Sequence, residues 1–243
     1  TIFSSSSTVW KASNNNYHFI YDKDPYIVFD EMNLICYSKK DSSVLYKTKG
    51  TFYPVTSKWI GVGGKLTWER AELSKDTVYA KLNDYEIGMK SAGYTVDSVD
   101  FYSNYFDEPL KGKLYEKVLA NRGASKVAYP KFESYSKRLL IKGIFPSIDY
   151  DGGFTLAGQN LIGSGTSDNL SRLIFYKDGI QFCKSEALNF VINSSEISAE
   201  RTSVVFYIEN DSISHPGLDF KYTNKDQKLI LIRGGKGLGI SPL

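Results

Sequence analysis

Residues 136–166 read SKRLLIKGIFPSIDYDGGFTLAGQNLIGSGT and carry the strongest indication of fold class in the chain. Their apolar runs are short, and Gly, Asp, Asn or Ser residues bound each run. Similar runs recur at 173–176, 180–183, 188–192, 204–208 and 229–232. Short apolar runs between turn residues are typical of β-strands. The sequence therefore predicts an all-β protein.

Several of these runs are nearly continuous and do not alternate with polar residues. Continuous runs indicate strands that are buried on both faces, and stacked short strands with polar corners are typical of a parallel β-helix. We therefore favour a parallel β-helix or another solenoid. A β-sandwich, or an irregular β fold with one short helix, is the alternative. An internal echo between Asp97-Ser98-Val99 and Asp211-Ser212-Ile213 is too short to establish a repeat.

Three segments can be distinguished along the chain. Residues 1–16 are rich in Ser, Thr and Asn and are expected to form a loose N-terminal arm. Residues 17–125 are expected to be β-rich with one short helix at 74–89, where Ser74 can cap the first turn. A strand at Val78-Tyr79-Ala80 is the alternative to that helix. Residues 126–243 form a β-rich C-terminal part, either separate from residues 17–125 or continuous with them.

The charge distribution argues against a nucleic-acid partner. The chain has 243 residues and a formal net charge of +3, and its basic residues are interspersed with acidic residues and Tyr. Nucleic-acid-binding proteins usually concentrate Lys and Arg on one face. No apolar run approaches the ~20 residues that a membrane-spanning helix needs. Because the sequence begins at Thr1 without an initiator Met or a signal peptide, we expect a mature product or a segment of a longer polypeptide.

The Cys and His residues are few and scattered. Cys36 and Cys183 fit neither a redox motif nor a zinc motif, and both lie in apolar runs. We therefore expect two free, buried thiols, with a disulfide as the less favoured alternative. Only His18 and His215 accompany them, so neither a metal site nor a cofactor is expected.

One local run contains the residue types of a hydrolase triad, namely Asp211, Ser212 and His215. Adjacent strand positions point to opposite faces, and triads are normally assembled from distant segments. We therefore assign no catalytic residue. The favoured interpretation is a structural corner, in which Asp211 binds nearby backbone and His215-Pro216-Gly217 turns the chain. The three residues remain candidates for a functional motif.

Aromatic residues are abundant, with 18 Tyr, 14 Phe and 3 Trp. Most are expected to pack within the sheet. Some can form exposed surfaces that contact sugar rings or partner proteins, because Tyr and Trp combine a large apolar area with a polar group. Trp10, Trp59 and Trp68 are the candidates for such an aromatic binding surface.

Two stretches carry a family resemblance. They are Gly63-Gly64-Lys65-Leu66-Thr67-Trp68-Glu69-Arg70-Ala71, and Asp211-Ser212-Ile213-Ser214-His215-Pro216-Gly217-Leu218 followed by Ile240-Ser241-Pro242. The sequence resembles an uncharacterised group of very large bacterial cell-envelope-associated β-rich proteins. The resemblance implies an exported, multidomain parent protein and transfers no catalytic residue.

These observations together favour a non-catalytic structural or binding module of a larger extracytoplasmic protein or assembly, in the periplasm or at the cell surface. Its expected partners are other domains of the same parent chain, envelope proteins or a glycan. The alternative is a carbohydrate-binding or carbohydrate-active domain. Exposed aromatic side chains in a line would favour that alternative.

Overall fold

The computed structural model describes residues 1–233, apart from the side chain of Ser125. The chain divides into two compact units. The first contains residues 1–136 and 155–160, and the second contains residues 137–154 and 161–243. Ile240-Ser241-Pro242, on which the family resemblance partly rests, lies outside the described residues.

The first unit contains twelve complete strands within the described residues, and the bounds of its elements follow. They are β1 (Phe3–Ser4), β2 (Val9–Ala12), β3 (Tyr17–Ile20), β4 (Tyr26–Ser38), β5 (Asp41–Tyr53), β6 (Lys58–Val62), β7 (Lys65–Thr67), a 3₁₀ helix (Glu69–Ala71), β8 (Tyr79–Lys81), β9 (Asp84–Gly88), β10 (Gly93–Tyr102), β11 (Leu110–Lys117), α1 (Arg122–Ala128) and β12 (Lys131–Ser134).

The second unit contains the remaining strands of the described residues. They are β13 (Leu139–Phe145), β14 (Ile148–Ala157), β15 (Asn160–Ser164), β16 (Ser171–Lys177), β17 (Ile180–Ala187), β18 (Asn189–Ile192), β19 (Glu196–Ile208), β20 (Asp211–Thr223) and β21 (Lys228–Ile232). Residues 155–157 of β14 belong to the first unit, where they pair with β12.

Two long strands form the centre of the first unit. β4 and β5 each contain 13 residues, and a two-residue turn joins them. β4 pairs with β3 along its first half and with β2 along its second half. β5 pairs with β7 near its start and with β6 near its end. Each long strand therefore has different neighbours along its two halves, and a β-bulge separates those halves.

The second unit repeats the two long strands and the strand that follows them residue for residue. β19 and β20 also contain 13 residues each, and adding 170 to the bounds of β4, β5 and β6 gives those of β19, β20 and β21. β18 and β17 pair with the two halves of β19, as β3 and β2 pair with those of β4. Residues 26–62 and 196–232 are therefore two copies of one motif, which we call the first and second copies.

The register of the two hairpins also agrees through the bulge. The first copy pairs Phe29 with Gly50, Met32 with Thr48, and Leu34 with Leu45. The second copy pairs Ala199 with Phe220, Thr202 with Leu218, and Val204 with His215. Each of these three pairs of the second copy is the first-copy pair with 170 added to both numbers. In the first two pairs, the large apolar side chain lies on β4 in the first copy and on β20 in the second copy. The two copies therefore fill the same space from different strands of the hairpin.

The antiparallel pairing corrects the favoured fold. The expectation of an all-β protein is confirmed, but every strand pair described for residues 1–233 is antiparallel, so the chain is not a parallel β-helix or solenoid. The near-continuous apolar runs did not distinguish these folds, since both contain buried strands. The expected helix at 74–89 is wrong, because β8 and β9 lie within that range and none of its residues is helical. The short helix α1 lies further along the chain.

The N-terminal segment also differs from the expected loose arm. Residues 1–16 contain β1 and β2, and β2 pairs with Leu34–Tyr37 of β4. Trp10 anchors this segment, because its indole ring is buried and donates a hydrogen bond to Ser91 O at 3.3 Å.

Candidate functional site

The structure places Asp211, Ser212 and His215 on β20, in the hairpin that β19 and β20 form. Asp211 follows the turn at Glu209-Asn210, and its carboxylate accepts a hydrogen bond from Ser212 N at 2.7 Å. His215 Nδ1 accepts one from Gly217 N at 3.2 Å. Because side chains alternate along a strand, Ser212 points away from the face that carries Asp211 and His215. The three side chains are therefore not assembled as a triad.

The three Trp residues do not form a binding surface. Trp10, Trp59 and Trp68 are all buried in the first unit, since each lies on an inward-facing strand or turn position. Trp59 packs on Phe29 with ring centroids 5.6 Å apart, and Trp68 packs on Phe101 at 5.1 Å. Burial of these large apolar rings stabilises the core. This corrects the expectation that the indole rings contact a ligand.

A buried ion cluster lies in the first unit and was not predicted. Arg70, at the centre of the 3₁₀ helix, donates from Nη1 to Asp41 Oδ2 at 2.6 Å and from Nη2 to Glu116 Oε1. Ser43 Oγ donates to Glu116 Oε2 at 3.0 Å, and Lys117 N donates to Glu116 Oε1 at 2.7 Å. Only 1% of the Glu116 side chain is exposed. The cluster joins the first hairpin to the 3₁₀ helix and β11.

Burial is the main cause of the pKa shift of Glu116. Desolvation raises the pKa of Glu116 to about 7, although the Arg70 guanidinium and the Ser43 hydroxyl both favour its charged form. A cavity of about 290 Å³ lies beside Glu116, Arg70 and Arg122. Both Glu116 oxygens already accept hydrogen bonds, so the cluster has the geometry of a structural ion network.

A row of exposed aromatic side chains marks the edge of the same unit. Tyr17, Phe19 and Tyr21 lie at alternate positions along β3 and just beyond it, so their rings share one face. The centroids of Tyr17 and Phe19 are 5.6 Å apart, and those of Phe19 and Tyr21 are 6.0 Å apart. Tyr21 is 86% exposed. These three exposed rings are called the aromatic row; the planes of Tyr17 and Phe19 are perpendicular, and those of Phe19 and Tyr21 are stacked.

A small pocket adjoins the aromatic row. It has a volume of about 150 Å³, and Tyr17, Phe19, Asn14 and Asn15 are among its lining residues. Asn14 is held in place, because its Nδ2 donates to Glu31 O at 3.1 Å and its Oδ1 accepts from Asn16 N at 3.2 Å. The pocket therefore combines aromatic faces with amide groups. Such a combination suits a ligand that has both apolar C–H faces and hydroxyl groups.

The second unit contains a larger groove of about 890 Å³ beside the bulge of β19. Leu188, Val191 and Phe220 supply apolar surface, and Arg201 and Asp219 supply charge. The groove lies where β19 changes its neighbour from β18 to β17. Its volume is within the range of small-molecule sites.

Among residues 1–233, no three His, Cys, Asp or Glu side chains are grouped so that they could hold a metal ion. Within the same residues, no helix has the length and hydrophobicity to cross a membrane. Comparison with protein-family models, with curated proteins and with solved structures finds no match.

Sequence reasoning missed both sites of the first unit for different reasons. The aromatic row has a local signal, since Tyr17, Phe19 and Tyr21 alternate with other residues, but strand packing explains the same pattern. The ion cluster has no local signal, because Arg70 lies 29 positions from Asp41 and 46 from Glu116.

Proposed function

We propose that this chain is a non-catalytic binding module and that the aromatic row binds a carbohydrate chain. The observation that carries the proposal is the exposure of Tyr17, Phe19 and Tyr21 on one face, beside a pocket with amide groups. The C–H face of a sugar ring packs on the electron-rich face of an aromatic ring, while its hydroxyl groups bind amides. A row of rings accommodates successive sugar units of an extended chain.

The charges near the aromatic row fit a largely neutral ligand. Lys23 lies between Asp22 and Asp24, so positive charge is not concentrated there. A strongly anionic ligand would require a concentration of Lys or Arg. Neutral polysaccharides therefore match this surface best.

The non-catalytic part of the proposal rests on the state of the ionisable groups. The side chains of Asp211 and His215 accept hydrogen bonds from nearby backbone N–H groups, and Ser212 faces the other side of the strand. Glu116 is enclosed by its hydrogen-bond donors. The resemblance to large bacterial envelope-associated proteins supports placing the module in an extracytoplasmic parent protein. Other domains of that parent are its proposed neighbours.

Affinity electrophoresis tests the proposal directly. The chain is run in native gels that contain hydroxyethyl cellulose, xylan, glycol chitin or laminarin, and purified peptidoglycan is used in a sedimentation assay. We expect at least one of these to bind, and we expect Phe19→Ala and Tyr21→Ala to weaken binding by about tenfold or more. Tyr207→Ala is the matched control, since Tyr207 is a partly exposed Tyr of the second unit.

Three results would count against this function. If none of the five probes binds, the carbohydrate proposal fails. If a probe is shortened during the assay, the carbohydrate-active alternative replaces the non-catalytic one. Binding that is equally weakened by Tyr207→Ala would remove the aromatic row as its site.

A further inference from the structure

Two lysines lie directly opposite each other on neighbouring strands of the first unit. Lys65 on β7 pairs with Lys81 on β8. Residues that are directly opposite in an antiparallel pair have Cβ atoms about 4.5–5.5 Å apart, and like charges at such positions destabilise a sheet. Lys65 is half-buried and Lys81 is exposed. The first unit therefore holds two ammonium groups near each other, within reach of solvent, against their mutual repulsion.

No acidic side chain compensates the charge of this pair. Within the described part of the chain, no salt bridge involves Lys65 or Lys81. Asp100 is the direct neighbour of Lys81 on β10, but its carboxylate binds Lys111 Nζ at 2.6 Å. Residues 234–243 contain no Asp or Glu. The two lysines are therefore available to an anion from outside the chain.

Two tyrosines fix the positions of the ammonium groups. Lys65 Nζ lies 4.0 Å from the ring centroid of Tyr79, and Lys81 Nζ lies 4.9 Å from that of Tyr102. The two rings stack on each other, with centroids 4.7 Å apart and planes inclined by 16°. The ring faces attract the ammonium groups and restrict the flexible Lys side chains. Such preorganisation lowers the entropic cost of binding a ligand.

The stacked rings also limit the kind of ligand that can bind. The Lys65 ammonium and the Tyr102 ring are both too close to the Tyr79 ring to share one of its faces, so they cover both faces. A nucleic-acid base or a sugar ring needs a free aromatic face for stacking. The site is therefore suited to a ligand that binds through its charge.

We propose that Lys65 and Lys81, positioned by Tyr79 and Tyr102, form a binding site for a tetrahedral oxyanion, namely the sulfate or phosphate group of a ligand. Each ammonium has three N–H donors, and the two positive charges match a dianion. The oxyanion accepts charge-assisted hydrogen bonds from both ammonium groups. The site uses strands other than β3, so it does not depend on the carbohydrate proposal.

Sodium sulfate and sodium phosphate are the probes for this site. Backbone amide signals of the full ¹⁵N-labelled chain are followed in each titration, and NaCl is adjusted to keep the ionic strength constant, because salt screens exposed charges. We expect saturable shifts at residues 65–67, 79–81 and 100–102. Lys65→Gln and Lys81→Gln should each weaken binding by about tenfold, as the loss of a hydrogen bond to a charged group implies. The salt with the lower Kd identifies the preferred group.

Lys11→Gln is the matched control. Lys11 also lies over a tyrosine, Tyr37, but Ile35 rather than a lysine is opposite it. Amide signals that stay in place away from the substituted residue establish that each variant is folded. The proposal is overturned if neither salt produces saturable shifts beyond those of NaCl, or if Lys11→Gln weakens binding as much as Lys81→Gln. Shifts of equal size beside every exposed lysine would also overturn it, because they would show unspecific ion screening.

Discussion

Arg70 Nη1 lies 2.6 Å from Asp41 Oδ2, and both side chains are almost completely buried. Glu116 approaches the same guanidinium from β11. The cluster thus places one cation between two carboxylates in the interior of the first unit. Such a group is stable only as long as each charge keeps its partners.

Arg70→Met should strongly destabilise the first unit. The substitution leaves two carboxylates buried without their cation, and breaking a buried ion pair in this way typically costs about 3–5 kcal/mol. Urea unfolding followed by Trp fluorescence measures this unit alone, because Trp10, Trp59 and Trp68 all belong to it. Lys58→Met is the control, since it removes an exposed ion pair to Glu86 and should cost at most about 1 kcal/mol. Equal losses would refute the structural role of the cluster.

The pKa of Glu116 predicts how the stability of the first unit depends on pH. Its pKa is about 7 in the folded chain, against an ordinary value of 4.5. Between these values the folded state binds more protons than the unfolded state, so its stability falls as pH rises from about 5 to about 7. Glu116→Gln removes this titration. The unfolding free energy of the wild type should therefore decrease relative to that of the variant across this range.

The comparison uses urea midpoints from Trp fluorescence at pH 5, 6, 7 and 8. Glu86→Gln, at an exposed position in the same unit, should give a profile parallel to that of the wild type. If the Glu116→Gln profile is also parallel, the raised pKa is wrong.

The two thiols should be inert in the folded protein. Cys36 and Cys183 are free and buried, as the sequence predicted. Burial raises the pKa of Cys36 to about 12 and that of Cys183 to about 11, so little thiolate forms at pH 8. A thiol reagent should react slowly with the native chain and with both thiols after denaturation. A mass lower by two hydrogens before reduction would instead demonstrate a disulfide.

Sequence patterns were sufficient for the all-β class and insufficient for the pairing of the strands. Short apolar runs bounded by turn residues predicted the all-β class, since they depend on local properties of each segment. The direction of pairing and the repeat depend on residues that are far apart. Phe29 and Gly50 correspond to Ala199 and Phe220, so comparing single positions hides a similarity that exists only between pairs.

The candidate sites show the same limit. Asp211 and Ser212 have the residue types of a catalytic triad. They occupy the positions of Asp41 and Ser42 in the other copy of the motif. The aromatic content correctly indicated packed sheets. It did not distinguish the buried Trp rings from the exposed Tyr17 and Tyr21, because exposure depends on which strand lies at the edge.

His215→Ala should lower the stability of the second unit by about 1 kcal/mol. The substitution removes the Nδ1 acceptor of the Gly217 N–H, and one such hydrogen bond contributes about this amount. Urea unfolding followed by circular dichroism measures this loss of stability. Ser214→Ala, at an exposed position on the same strand, is the control. The wild type is also screened on ester, peptide and glycoside substrates. A turnover that both Ser212→Ala and His215→Ala abolish, with folding intact, would contradict the non-catalytic assignment.

The exchange of large and small residues between the two copies predicts a rescue. Phe220 packs against Phe190 and Phe175 in the second unit, with ring centroids 5.8 and 6.2 Å away. Phe220→Gly should cost about 3–5 kcal/mol, because it leaves a cavity among these rings. Ala199→Phe alone should cost about 1–3 kcal/mol by overpacking. The double variant restores the arrangement of Phe29 and Gly50, in which the ring comes from the other strand.

We therefore expect the double variant to be more stable than the sum of the two single losses implies, by at least about 1 kcal/mol. Thermal and urea unfolding followed by circular dichroism measure this coupling. The reciprocal change in the first unit should fail, because a side chain at Gly50 would overlap Ile60 O and lie against Trp59. Leu229 occupies the position of Trp59 in the second copy, but Trp59→Leu should not make Phe29→Ala and Gly50→Phe tolerated together, because the overlap with the backbone atom Ile60 O remains. If the losses of Phe220→Gly and Ala199→Phe simply add in the double variant, positions 199 and 220 are not coupled, and the predicted rescue is wrong.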